Sequence, residues 1–171
     1  MKRYHIGLYE KAMPASLNWR EKLECAKECG YDFVEISIDE SDQRLSRLDW
    51  AKEERAQLRE LMAEIGVPIR SMCLSGHRKY PFGATDPAVR RKSLEIMEKA
   101  IQLSDDLGIR IIQLAGYDVY YEKGTDETRK YFAKNLKKAV EIAAVHGVML
   151  GFETMETEFM NTVGKSMTYI K

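Results

Sequence analysis

An incomplete (β/α)₈ TIM barrel of about five βα units is the fold class that the 171-residue sequence predicts, as a single partial-barrel domain over 1–171. Three observations lead there. Four segments share a leading glycine, a strand-like run rich in Val, Ile, Leu and Phe, and a polar close: "GYDFVEISID" from Gly30, "GVPIRSMCLS" from Gly66, "GIRIIQLAGY" from Gly108 and "GVMLGFETME" from Gly147. They recur at intervals of 36, 42 and 39 residues, and an earlier copy, "YHIGLYEKA", lacks only the glycine. Before each glycine lies a helix-period stretch, as expected where glycine sits just past a helix end and the chain turns into a strand. Alternating strands and helices form right-handed βαβ units, and hence a parallel sheet covered by helices.

The elements can be taken in order. Asn18 with Glu21 three residues later resembles a capping box, and Trp19, Leu23 and Ala26 follow on one helical face. Leu58, Leu61, Met62 and Ile65 form the apolar stripe of the next helix. Asp86-Pro87 supplies a cap and a first-turn proline ahead of Leu94, Met97, Ala100, Ile101 and Leu107. Thr125 or Asp126 caps a helix striped by Phe132, Leu136, Ala139, Val140 and Ala143, and a further helix is expected from near Asn161. A five-stranded doubly wound sheet would suit this length too. The Gly-rich first turn of a dinucleotide fold is absent, however, and a period near 40 residues with polar strand ends is the rhythm of a barrel. A complete barrel needs eight strands and usually about 250 residues, which leads to the expectation of a partial one.

Composition narrows the function classes. Lys plus Arg and Asp plus Glu balance at 27 each, so no global field favours nucleic acid or an anionic membrane. The opening "MKRYHIGLYEKAM" lacks the apolar core of a signal peptide, and no run approaches the roughly 18 apolar residues of a membrane span. The expected location is the cytoplasm. Cys25, Cys29 and Cys73 are an odd count without a secretory signal and read as reduced thiols; nothing near the first two completes a metal set.

In a parallel barrel the active site lies at the C-terminal strand ends. Glu153, closing an otherwise apolar run, is the sharpest candidate, because a carboxylate there can coordinate a divalent cation or take a proton from carbon beside a carbonyl. A solvated acid paired with lysine is the bland alternative. Glu35 lies among apolar neighbours and is expected to project into the lumen toward a substrate hydroxyl, or else to form a core ion pair. Tyr9 and Gln113 close their own strands as substrate contacts. "SGHRKYPFG" offers His77 and Arg78 to a phosphate or sugar hydroxyl, though an exposed basic loop is the commoner outcome. Tyr117, Tyr120 and Tyr121 form either a hydrogen-bonding wall or a lid packed on the rim.

"GLYEKAMP", "DFVEISIDESDQRLSRLDW", "SMCLSGHRKYPFG", "IRIIQLAGYDVYYE" and the turn after Glu153 together resemble the L-xylulose-5-phosphate (L-ribulose-5-phosphate) 3-epimerases, within the xylose-isomerase-like sugar phosphate isomerases and epimerases. The resemblance spans essentially the whole chain. It implies a metal-dependent isomerase that interconverts L-xylulose 5-phosphate and L-ribulose 5-phosphate at C3 through an enediolate. It also implies a divalent cation (Mg, Mn or Zn) held by a Glu after the fifth strand, an Asp after the sixth, a His after the seventh and a Glu after the eighth. Only the first falls within this sequence, on Glu153, which would be both ligand and acid/base. The 171 residues alone are therefore expected to be inactive, and open strand edges to invite a second copy, a homodimer. The alternatives are hexulose-6-phosphate isomerase-type activity, a noncatalytic sugar-phosphate-binding partial barrel, and a metal-dependent nuclease for abasic DNA, which the balanced charge disfavours.

Overall fold

The computed structural model describes residues 4–170, so the basic pair at the start of the chain and Lys171 lie outside the described residues. Five strands run β1 (Gly7–Tyr9), β2 (Phe33–Ile38), β3 (Ile69–Leu74), β4 (Ile111–Ala115) and β5 (Met149–Glu153). Between and after them lie α1 (Trp19–Glu28), the single turn α2 (Asp42–Leu45), α3 (Lys52–Ile65), α4 (Pro87–Leu107), α5 (Asp126–Val145) and a last turn, α6 (Val163–Ser166). All neighbouring strands pair in parallel, in the order β1-β2-β3-β4-β5. That order decides between the two architectures. A doubly wound sheet reverses direction at a switch point, whereas a barrel adds each strand beside the last.

The predicted caps form. Asn18 and Glu21 exchange hydrogen bonds as a capping box, Asp86 caps α4 with Pro87 at its start, and Thr125 accepts from the Thr128 amide at the head of α5. Gly66 and Gly108 end α3 and α4 at φ 81° and 76°, the left-handed turn that L side chains resist. The last segment is shorter than expected, since Thr162 caps only the turn Val163–Ser166, followed by a 3₁₀ turn over Met167–Tyr169.

Strand alternation sorts the sheet into two faces. Val34, Ile36, Ile38, Met72, Leu74, Ile112 and Leu114 are buried beneath the helices. Along the concave face, Glu35, Ser37, Cys73, Gln113 and Glu153 fall on the alternate positions. Val140 departs from the predicted core stripe at 49% exposed, because it borders a flank of α5 that no other helix of the described residues covers. Among the described residues no helix is long and apolar enough to cross a membrane.

Candidate active site

Register brings the concave residues together: Tyr9 lies beside Glu35, Ser37 beside Cys73, Cys73 beside Gln113, and Ala115 beside Glu153. Their side chains open on a cavity of about 350 Å³, with Tyr9, Glu35, Arg78, Gln113 and Glu153 in its wall and Lys11 at its rim. Five of the six residues nominated from the sequence thus share one chamber.

Each is held by specific contacts. The Glu153 carboxylate accepts from the side-chain amide of Gln113 one strand away. Glu35 accepts from Ser71 Oγ at 2.7 Å, so it is satisfied by a neutral donor rather than by a core ion pair. Tyr9 donates toward Ser37 Oγ at 3.3 Å and lies 3.7 Å from Cys73 Sγ. Burial pushes the Tyr9 phenol up to about 12, and burial likewise raises the Cys73 thiol, so both stay protonated at neutral pH.

A second layer carries the charge. Lys11 meets Asp39 at 2.6 Å, and Arg44 reaches the same carboxylate at 3.2 Å. Burial alone would raise the Asp39 pKa, but Lys11 and the Ser41 amide and hydroxyl outweigh it and hold the group at about 2. Behind this pair, Glu10 is enclosed by Arg47 at 2.5 Å and Lys22 at 3.1 Å and accepts the Ser37 amide at 2.8 Å. Lys11 and Arg44 thus face Asp39 at the chamber, while Arg47 and Lys22 neutralise the buried Glu10 behind it.

His77 is the exception among the nominated residues. It is 6% exposed, packs on the Phe82 ring at 4.5 Å, and its Nε2 donates to the Ser93 carbonyl at 3.1 Å. Burial drives its pKa down to about 4, so it is a neutral core imidazole and not a cavity contact. In "SGHRKY" a 3₁₀ turn over Ser75–Arg78 points successive side chains apart: Arg78 reaches the chamber and His77 turns to α4. Lys11, one of the polar residues that follow β1, and Cys73, which reads from sequence only as a reduced thiol, line the chamber as well. The period-2 spacing of Ser71, Cys73 and Ser75 was the available signal for Cys73.

Gly116 fixes where Glu153 ends. Its amide donates to the Glu153 carbonyl at 2.9 Å, and an added Cβ would stand 2.7 Å from that oxygen and 2.8 Å from Met160 Cβ. Gly116→Ala is expected to destabilise by about 1–3 kcal/mol through overpacking, and to shift the amide resonances around Glu153. Urea unfolding and a ¹H–¹⁵N spectrum would check it; unchanged shifts at residues 151–155 would refute the link.

A family model described as a xylose isomerase-like TIM barrel matches residues 23–171. The chain belongs to that family. Among its relatives, a Haemophilus influenzae protein provisionally named L-ribulose-5-phosphate 3-epimerase SgbU is 54% identical over 96% of this chain and 58% of its own length. The L-ribulose-5-phosphate 3-epimerase UlaE of Shigella boydii serotype 18 is 52% identical over 98% of this chain and 59% of its own. The chain therefore spans somewhat under three-fifths of these xylose isomerase-like relatives. Solved structures agree on the fold. A D-psicose 3-epimerase of Clostridium cellulolyticum H10 superposes with a TM-score of 0.82 at 14% identity, covering 98% of this chain and 59% of that one. An L-ribulose 3-epimerase gives 0.74 at 23%, covering 97% and 56%. A family barrel of Mycobacterium smegmatis solved in complex with magnesium gives 0.71 at 14%, covering 98% and 60%.

The donor set can be tested against the cation that the resemblance implies. Divalent cations take several oxygen or nitrogen ligands at once, and catalytic sites usually supply three or more from protein. Among the described residues no group of three His, Cys, Asp or Glu is placed to hold a metal. Glu153 offers a single carboxylate, already engaged by Gln113, so these residues do not fit a cation by themselves. Cys25, half-buried, and Cys29, exposed, likewise form no such group.

Proposed function

We propose that this chain carries the N-terminal part of the active site of a ketopentose-phosphate 3-epimerase that interconverts L-xylulose 5-phosphate and L-ribulose 5-phosphate in the cytoplasm. The observation that carries the reading is Glu153, a carboxylate at the C-terminal end of a parallel strand, exposed to a polar chamber and oriented by Gln113. The names and identities of the relatives support the choice of substrate.

A proton on the carbon next to a ketone is removable by a carboxylate within hydrogen-bond reach. In this reading Glu153 takes the C3 proton. Gln113 holds it in position, and the free oxygen of Glu35 accepts a sugar hydroxyl. Tyr9 borders the same hydroxyls. The phosphate lies toward Lys11, and Arg78 binds the substrate from the wall of the same chamber. Returning the proton to the other face of C3 requires a second acid, a role that the family resemblance assigns to a Glu after the eighth strand. Glu153 is also this chain's contribution to a divalent-cation site (Mg, Mn or Zn) whose other donors the described residues lack. The 171-residue chain by itself is therefore expected to be inactive, and the open edges of β1 and β5 suit pairing with a second copy.

The test is solvent deuterium incorporation at C3 of L-xylulose 5-phosphate by a polypeptide carrying this sequence through all eight strands. Exchange is expected, and Glu153→Gln is expected to abolish it while sugar phosphate still binds. Binding without exchange in the unsubstituted protein would refute the epimerase and leave a noncatalytic sugar-phosphate binder.

A further inference from the structure

We infer that Tyr117, Arg78 and Glu40 form a subsite for one neutral hydroxyl of the ligand, distinct in its chemistry from the phosphate side of the rim. The ligand's class rests on the sugar reading above. The subsite itself rests on side-chain atoms without partners.

Arg78 Nε, the Tyr117 hydroxyl and Glu40 Oε2 are each buried and make no hydrogen bond. They belong to one cluster. The Arg78 guanidinium lies 4.9 Å from the Tyr120 ring centroid, Tyr120 is 5.1 Å from Tyr117 and 4.9 Å from Tyr121, and Tyr121 donates to the other oxygen of Glu40 at 2.8 Å. Three segments that are remote in sequence, after β2, β3 and β4, converge to build it. Tyr117 is only 2% exposed, so its hydroxyl cannot be satisfied by bulk water. Buried polar groups in folded proteins are nearly always paired, so three without a partner inside the protein in one corner are available to a polar ligand atom.

Their donor and acceptor roles say what that occupant is. Arg78 Nε only donates, an ionised Glu40 oxygen only accepts, and a phenol does either. A group that accepts from Arg78 Nε and from the Tyr117 phenol and donates to Glu40 completes the set, which describes a hydroxyl with its two lone pairs and one proton. A phosphate does not, because it would turn acceptor oxygens toward the Glu40 carboxylate. Glu40 also offsets the charge of Arg78. Burial raises the Tyr117 phenol, which keeps its proton available. Arg78 joins the corner to the main chamber, lining both that chamber and an adjoining rim cavity of about 250 Å³ that Tyr120 and Tyr121 also line.

The experiment titrates the 171-residue chain by NMR with two probes, L-ribulose as a neutral ketopentose and inorganic phosphate. Tyr117→Phe is expected to weaken L-ribulose about tenfold and leave phosphate unchanged, the loss of one well-placed hydrogen bond. Glu40→Gln keeps the shape, sits nearer the surface and removes the charge opposing an anion at Arg78; it is expected to raise phosphate affinity severalfold. Thermal unfolding confirms that each variant is folded. L-ribulose affinity within twofold of the parent in Tyr117→Phe, with phosphate affinity unmoved in Glu40→Gln, overturns the subsite and assigns the three atoms to a resident water. Absence of any L-ribulose binding to the parent chain overturns the sugar reading together with it.

Discussion

Glu10→Ala is expected to lower stability by about 3–5 kcal/mol, the cost of leaving a buried cation without its partner. The Glu10 side chain is fully buried, and it receives two hydrogen bonds from Arg47, one from Lys22 and one from the Ser37 amide. Among the described residues, Glu10 is the carboxylate that pairs with Arg47. Its guanidinium lies 5.3 Å from the Trp19 ring and 5.9 Å from Trp50, and its other hydrogen bond goes to the Ser37 carbonyl. For a domain of this size such a loss corresponds to a melting temperature lower by about 10 °C. A fall of under 2 °C would show that the network relaxes or takes up water. The effect extends to the chamber, because Tyr9 and Lys11 flank Glu10 in sequence and both line it.

The same network sets an acid limit. Burial alone would raise Glu10, but the Arg47 hydrogen bonds, the Ser37 amide and the charges of Arg47 and Lys22 outweigh it and hold it below the ordinary value of 4.5. Asp39 is held at about 2 against an ordinary 3.8. A carboxyl depressed in the folded state contributes stability that is fully present above its unfolded pKa and is lost as pH falls through the folded one. Stability should therefore be flat above about pH 4.5 as far as these two groups decide it, and should decline from there toward about pH 2. Glu10→Gln should flatten part of that decline, which urea midpoints measured at stepped pH would show.

Phe132→Ala is the second large expectation, at about 3–5 kcal/mol for an emptied aromatic site. Phe132 is 3% exposed, and its ring lies 4.9 Å from Phe159, 5.3 Å from Tyr169, 6.1 Å from Phe82 and 6.2 Å from Phe152. It joins α5 to β5, to the loop after β3 and to the C-terminal turns. Removing it should therefore open residues 152–170 first, with amide protection falling there before it falls in β2 and β3. Phe132→Leu, which keeps most of the volume, is expected to cost about 1.5 kcal/mol or less. Uniform loss of protection across the whole sheet would contradict the local account.

Much of this was legible because it is written in short-range chemistry. The capping box of Asn18 and Glu21, the Asp86-Pro87 start and the glycines after α3 and α4 depend on contacts within a few residues, so their spacing alone predicts them. Glu153 was legible for the same reason, as a carboxylate where an apolar run stops. Val140 misled because a stripe says which face of a helix is apolar but not whether a neighbour covers it. His77 misled more instructively. Its neighbours in sequence are cationic and polar, while its neighbours in space are Phe82 and the Ser93 carbonyl.

By itself the sequence determined the alternation of strands and helices, the barrel-like period, and the residues that close each strand. Those follow from local dihedral preference, capping and periodicity, which act over one or two turns of chain. Only the tertiary structure decided that the strands stand in sequential order, that Glu35 faces the lumen on Ser71, and that His77 leaves the site while Lys11 and Cys73 enter it. The three unsatisfied atoms of Arg78, Tyr117 and Glu40 emerge in the same way. Each of these depends on groups separated by tens of residues. Which donor finds which acceptor across that distance is settled by packing and register, and no local pattern encodes it.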